Sequence, residues 1–100
     1  MTHKYSLPEA DAVQTGAEDG SILELARIWA TPEGPLIMVR PAYDEPRAMG
    51  QVMAELCWNF AEAYSQEGKM SHAEALAALR QGWVEGQANG DAAQKQRNGQ

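Results

Sequence analysis

The feature that most constrains this chain is a long amphipathic helix predicted from Pro46 to Gln66. Apolar side chains recur there at three- and four-residue spacing, which places them on one face of a helix. This stripe consists of Met49, Val52, Met53, Leu56, Phe60 and Tyr64. A helix of this kind buries its apolar face against another layer of structure, so we expect the stripe to face the core.

Trp58 lies almost opposite that stripe. A large aromatic side chain is costly to leave in water, so we expect something to cover it. We interpret Trp58, with Ala54 and Ala61 beside it, as a surface for a protein partner. Cover by the chain's own terminal segments and plain partial exposure are the alternatives. The polar residues around Trp58 are Gln51, Glu55, Asn59 and Glu62.

Two apolar runs, residues 21–30 and 36–40, flank a segment with two prolines and a glycine, which predicts a β-hairpin. Asp44 is the predicted N-cap of the long helix. Ser71 and Glu74 have the spacing of a capping box and predict the start of a second helix. The fold class is therefore α+β: an antiparallel β-hairpin followed by two α-helices packed on it, in the order β-β-α-α.

We expect a single α+β domain at residues 21–87, a flexible segment at residues 1–20 and a disordered tail at residues 88–100. The strands carry apolar side chains on both faces, whereas two helices cover one face only. An open strand edge or face needs cover as well, so we predict a homo-oligomer, a dimer formed by edge pairing or by face packing.

The net charge of −6 disfavours nucleic acid and an anionic membrane as partners. Cys57 is the one cysteine, so neither an intrachain disulfide nor a thiolate metal cluster is expected. A secreted domain this small usually needs disulfides, which favours a cytoplasmic location. No signal peptide or membrane span is expected, and no cofactor or metal site is predicted.

No pattern of catalytic residues stands out, so we predict no catalytic residues and favour a small non-catalytic protein-interaction or regulatory domain over an enzyme. The alternative is a small-ligand-binding protein or an enzyme whose site forms between subunits. Its residues would be Arg40, Tyr43, Asp44 and His72. A ligand site predicts a deep pocket with converging polar groups, whereas an interaction domain predicts a flat apolar patch.

Several short stretches also resemble a known family. They are residues 22–29, which read Ile-Leu-Glu-Leu-Ala-Arg-Ile-Trp, then Arg40-Pro41, Pro46 and Gly50 ahead of the amphipathic helix. They resemble a family of small bacterial proteins, domain of unknown function 5076, over roughly residues 20–87. The resemblance implies a compact α+β domain. The family has no established activity, so the resemblance carries no site residue onto this chain.

Overall fold

The computed structural model describes residues 4–99. Its elements follow in the order α1 (Asp11–Asp19), β1 (Ala26–Thr31), β2 (Gly34–Val39), α2 (Pro46–Gln66) and α3 (His72–Asn98). They form two compact units, Met1–Asp44 and Glu45–Gln100. The antiparallel hairpin followed by α2 and α3 confirms the α+β class and the β-β-α-α order. Completion by a dimer and the predicted domain boundaries stay predictions.

The first helix is an element that the sequence did not predict. Residues 1–20 were expected to be flexible, but α1 occupies Asp11–Asp19. Gly16 is buried on it, and the Ile22 N–H donates to the Gly16 carbonyl at 3.1 Å. Gly20 ends the helix in the left-handed conformation, with φ 77°. Both glycines therefore have structural roles, one in packing and one in the cap.

The hairpin has a two-residue turn, Pro32-Glu33, between the paired residues Thr31 and Gly34. Proline fixes a negative φ, so the primed turns that suit two-residue hairpins are closed to this sequence. The change of direction falls on Gly34, whose φ of 122° favours glycine. The Thr31 hydroxyl supports the turn by donating to the Gly34 carbonyl at 2.6 Å and accepting from the Glu33 N–H at 3.2 Å.

The two faces of the hairpin differ in chemistry. Cross-strand pairs such as Ile28–Ile37 put one set of side chains on a shared face, and the next pair, Trp29–Leu36, falls on the other. The first face is apolar throughout, with Ala26, Ile28, Ala30, Pro35, Ile37 and Val39. The second face is mixed, with Arg27, Trp29, Thr31, Gly34, Leu36 and Met38.

Helix α2 has the predicted bounds, but its N-cap differs from the prediction. Glu45 occupies the cap without a side-chain hydrogen bond, and Pro46 opens the first turn. Pro46 needs no N–H partner there, so the helix begins at Pro46 and its cap lies one residue after the predicted cap, Asp44. The capping box of α3 is confirmed, because Ser71 accepts from the Glu74 N–H at 3.1 Å and its own N–H donates to the Glu74 carboxylate at 2.9 Å.

Helix α3 is longer than the sequence predicted. Residues 88–100 were expected to be disordered, but the helix continues to Asn98. This last part is rich in Ala, Gln, Lys and Arg, which have high intrinsic helix propensity and need no apolar stripe to be helical. All of residues 80–99 are exposed. The helical extension thus reflects local propensity.

The core of the helical unit is a seam of small side chains between α2 and α3. Its buried members are Ala61, Ala75 and Leu76, with Cys57 and Leu79 packed against them. This differs from the predicted core face, whose large residues from Met53 to Tyr64 remain exposed. Small side chains let two helix backbones approach closely, so α3 packs along the alanine side of α2.

Candidate functional site

Trp58 lies at the edge of the α2–α3 seam and contacts the other helix. Its ring centroid is 4.6 Å from that of His72, with the two planes tilted by 32°. This is the range of a favourable offset aromatic pair. The indole is still 53% exposed, so the first turn of α3 covers only part of it. The contact also gives His72 a partner that sequence analysis did not identify.

The two alanines assigned to the Trp58 surface differ in their exposure. Ala61 is fully buried in the seam, so its assignment to a partner surface was wrong. Residues three apart on a helix are neighbours, but they do not point in the same direction. Ala61 is three residues after Trp58 and lies on the side of α2 that meets α3. Ala54 is exposed. Trp58 and Ala54 as an interaction surface stay a prediction.

The predicted core face of α2 is an exposed apolar surface of the helical unit. We call the four exposed side chains Met53, Leu56, Phe60 and Tyr64 the α2 stripe. They are 37%, 43%, 48% and 44% exposed, in that order. An aromatic side chain has about 150–250 Å² of surface, so the two rings alone leave roughly 200 Å² in water. With Met53 and Leu56 added, the stripe reaches a few hundred Å², the size of the largest apolar patch on a typical monomer, which is often functional.

The four residues of the predicted ligand site lie in different units. Arg40, Tyr43 and Asp44 follow β2 in the first unit, whereas His72 opens α3 in the second. The Arg40 N–H donates to the Leu25 carbonyl at 2.8 Å and extends the hairpin ladder by one pair. Arg40 also lines an open depression beside the ends of the strands. The grouping of all four residues into one ligand site stays a prediction.

Charged side chains in the described residues form short local pairs. Arg27 donates to the Glu24 carboxylate at 2.9 Å, and this hydrogen bond raises the pKa of the guanidinium, with a smaller contribution from the charge of Glu9. The pKa of Asp19 is lowered, because its carboxylate accepts hydrogen bonds from Ser21. Pairs within three residues of one another are typical of structural hydrogen bonding and do not by themselves indicate catalysis.

Within residues 4–99, no group of three or more His, Cys, Asp and Glu side chains is arranged to hold a metal ion. No helix among the described residues is long and apolar enough to cross a membrane. The features that stand out are surfaces: the α2 stripe, Trp58, and the hairpin with its wholly apolar face. The sequence predicts apolar side chains on both faces of the strands. It does not predict which face is uniformly apolar, because that assignment depends on the register at the turn.

These features define a small α+β domain with exposed apolar surfaces. The chain belongs to the family described as Domain of unknown function (DUF5076), which matches residues 9–89. This confirms the resemblance found in the sequence. The matched region begins before α1 and ends inside α3, so it includes the helix that sequence analysis missed.

A solved structure shares the fold. It is a protein of the photosynthetic bacterium Rhodopseudomonas palustrus CGA009, described as a candidate pyruvate dehydrogenase. The two chains are 24% identical with a TM-score of 0.64, and the match covers 88% of this chain and 99% of that one. Identity at this level shows the fold alone, and a shared fold does not carry an activity with it. No relative is found among curated proteins.

Proposed function

We propose that this chain is a small non-catalytic protein-interaction or regulatory domain and that another protein chain covers the α2 stripe. The observation that supports the proposal most is that the small and the large residues of α2 have different surroundings. Its small residues hold α3 through the seam, while its large apolar residues remain 37–48% exposed. Large aromatic side chains are among those that contribute most to binding when a partner buries them.

Trp58 belongs to the same proposal as a second contact. Its indole contacts the His72 ring on one side and is 53% exposed. A ring held in place loses little conformational entropy on binding, which favours a role as an anchor. A homodimer is the simplest partner arrangement. We also propose a cytoplasmic location, because a domain with the single cysteine Cys57 has no intrachain disulfide to stabilise it outside the cell.

The proposal is tested with a matched pair of substitutions on α2. Leu56→Asp puts a charge in the middle of the α2 stripe. Asn59→Asp puts the same charge three residues further on, among Glu55 and Glu62 on the polar side. Neither position is buried, so neither change opens a cavity in the α2–α3 seam. Sedimentation over a concentration series measures self-association, and capture from native lysate followed by titration of the captured protein measures binding to another partner.

We expect Leu56→Asp to remove the association that the α2 stripe makes and Asn59→Asp to preserve it. Far-ultraviolet circular dichroism should show the same helix content for both variants and the parent. If the parent associates with nothing, or if Leu56→Asp leaves every association unchanged, the α2 stripe is not an interaction surface and the proposed function is wrong.

A further inference from the structure

The outer edge of β1 offers a complete set of backbone hydrogen-bonding groups. Residues of an antiparallel pair alternate between those that bond to each other and those that turn their N–H and C=O groups outward. The Arg40 N–H donates to the Leu25 carbonyl, so Leu25–Arg40 and every second pair after it are the hydrogen-bonded pairs of the hairpin. The groups of Ala26, Ile28 and Ala30 therefore point away from β2. The hairpin is a two-stranded sheet in the described part of the chain, so no third strand pairs with them there.

The outer edge of β2 is less able to pair. The outward residues on that strand are Pro35, Ile37 and Val39 by the same alternation. Pro35 has no N–H, so this edge lacks one of its donors next to the turn. Proline is one of the devices that protect a sheet edge from further pairing, and β1 carries none. The hairpin is thus asymmetric, with one protected edge and one open edge.

We propose that the open edge of β1 pairs with β1 of a second copy of this chain, antiparallel and about a two-fold axis at Ile28. This goes beyond the proposed function, because it names a second surface, separate from the α2 stripe, and a partner for it. Ile28 then lies opposite its own equivalent, and Ala26 lies opposite Ala30 of the second copy. In this register each copy donates three hydrogen bonds across the axis and accepts three, because every outward group finds a partner. A shift of two residues in either direction would leave groups at the ends unpaired.

The side chains of β1 suit this register as well as its backbone does. The segment 26–30 reads Ala-Arg-Ile-Trp-Ala and has an alanine at each end of the apolar face. On the opposite face, Arg27 falls across from Trp29 of the second copy, at the close spacing of a non-hydrogen-bonded pair. A guanidinium over an indole is a favourable cation–π contact. A shift of two residues could instead bring Arg27 opposite its own equivalent, where like charges repel.

The product is a four-stranded sheet in the order β2-β1-β1-β2. A two-fold axis perpendicular to the sheet keeps equivalent faces on the same side, so the apolar face of one hairpin continues into that of the other. A sheet of this width with one apolar face is the size at which β-structure becomes stable, whereas a lone hairpin is marginal in water. The protected β2 strands, with their prolines, form the outer edges.

The first test compares Ile28→Pro with Ile37→Pro. The two isoleucines pair with each other, lie on the same face and are each 55% exposed. Both point their N–H outward, so proline leaves the hairpin's own ladder intact in each case and removes one outer donor. In sedimentation, we expect Ile28→Pro to raise the dimer dissociation constant at least about ten-fold relative to Ile37→Pro. Equal effects of the two substitutions would overturn the proposal.

The second test is disulfide trapping in the Cys57→Ser background, which removes the native thiol. The two-fold axis puts Ile28→Cys opposite itself, with Cα atoms about 5.5 Å apart, within the range of a disulfide. Ile37→Cys is three strand spacings from its equivalent, about 14 Å, and cannot be bridged. Under mild oxidation we expect a covalent dimer from Ile28→Cys alone. No dimer from Ile28→Cys, or as much from Ile37→Cys, would contradict the proposal.

The two proposals fail in different ways. If Leu56→Asp abolishes association while Ile28→Cys gives no covalent dimer, the β1 edge is not the interface and the proposed function stands. If Ile28→Cys is trapped as a dimer while Leu56→Asp changes no association, β1 pairing stands and the α2 stripe is not an interaction surface.

Discussion

Gly16→Ala should destabilise the first unit, which is the reverse of the usual result for this substitution in a helix. In an open helical position, alanine is more stable than glycine by roughly 0.5–1 kcal/mol, because it restricts the unfolded chain. Gly16 is buried, and a Cβ added there would overlap the Ile22 side chain. It would lie 2.8 Å from the Ile22 Cβ, whereas carbon atoms pack best at about 3.5–4.0 Å.

No rotamer of Ile22 relieves this overlap, because rotation about χ1 leaves Cβ where it is. The backbone of Ile22 must move, and the hydrogen bond from its N–H to the Gly16 carbonyl at 3.1 Å opposes that movement. Overpacking of this kind costs about 1–3 kcal/mol. After the gain in helix propensity is subtracted, a net loss of roughly 1 kcal/mol remains.

The matched control is Gly86→Ala on α3, where an added Cβ meets nothing within 4 Å. It should gain roughly 0.5–1 kcal/mol of helix stability. Amide hydrogen exchange reads both sites locally. The Ile22 amide should exchange about five-fold faster in Gly16→Ala, since 1.4 kcal/mol corresponds to ten-fold. If Gly16→Ala slows exchange in α1 as Gly86→Ala does in α3, the packing of Ile22 on Gly16 is wrong.

Three further predictions concern the helical unit. Leu76→Ala should cost about 2–5 kcal/mol in urea melts, because Leu76 is the largest buried side chain in the seam. Trp58→Ala should cost roughly 1 kcal/mol by losing the His72 contact, and Trp58→Phe should retain most of it; loss of association in sedimentation would add a role at an interface. The hydrogen bond from the Ser71 N–H lowers the pKa of Glu74, so the stability that this hydrogen bond contributes is present at neutral pH and is lost as acid protonates the carboxylate. Thermal melts of Glu74→Gln should lack this acid-dependent loss of stability.

Sequence reasoning succeeded where a local pattern decides the structure. The bounds of α2 followed from its periodicity and from Pro46, and the start of α3 followed from Ser71 and Glu74. It failed at α1, because a glycine in a sequence is compatible with two opposite interpretations. Gly16 weakens a helix in isolation, yet a missing Cβ is what lets Ile22 pack on α1. Only the tertiary contact distinguishes the two.

The core face of α2 was the larger error, and its cause is general. Periodicity identifies the face with the largest apolar side chains, but it does not say what that face contacts. Helix α3 meets the side of α2 that carries Cys57 and Ala61, where small residues permit close approach. The large residues of the α2 stripe are left for another surface. Ala61 lies on the side of α2 that meets α3, so it is buried and is not part of the predicted interaction surface. Trp58 lies at the edge of that side and is partly exposed.

A core this small has a consequence for how the domain works. The buried apolar residues of the described chain are Ala61, Ala75 and Leu76, and two of these three bury only a methyl group. If partner chains cover the α2 stripe and the β1 edge, association supplies much of the apolar burial that the monomer lacks. Folding and association are then linked by mass action, so the thermal midpoint should rise with protein concentration. A midpoint independent of concentration would mean that the seam and the hairpin stabilise each unit without a partner. Neither interface would then contribute to the stability of the fold.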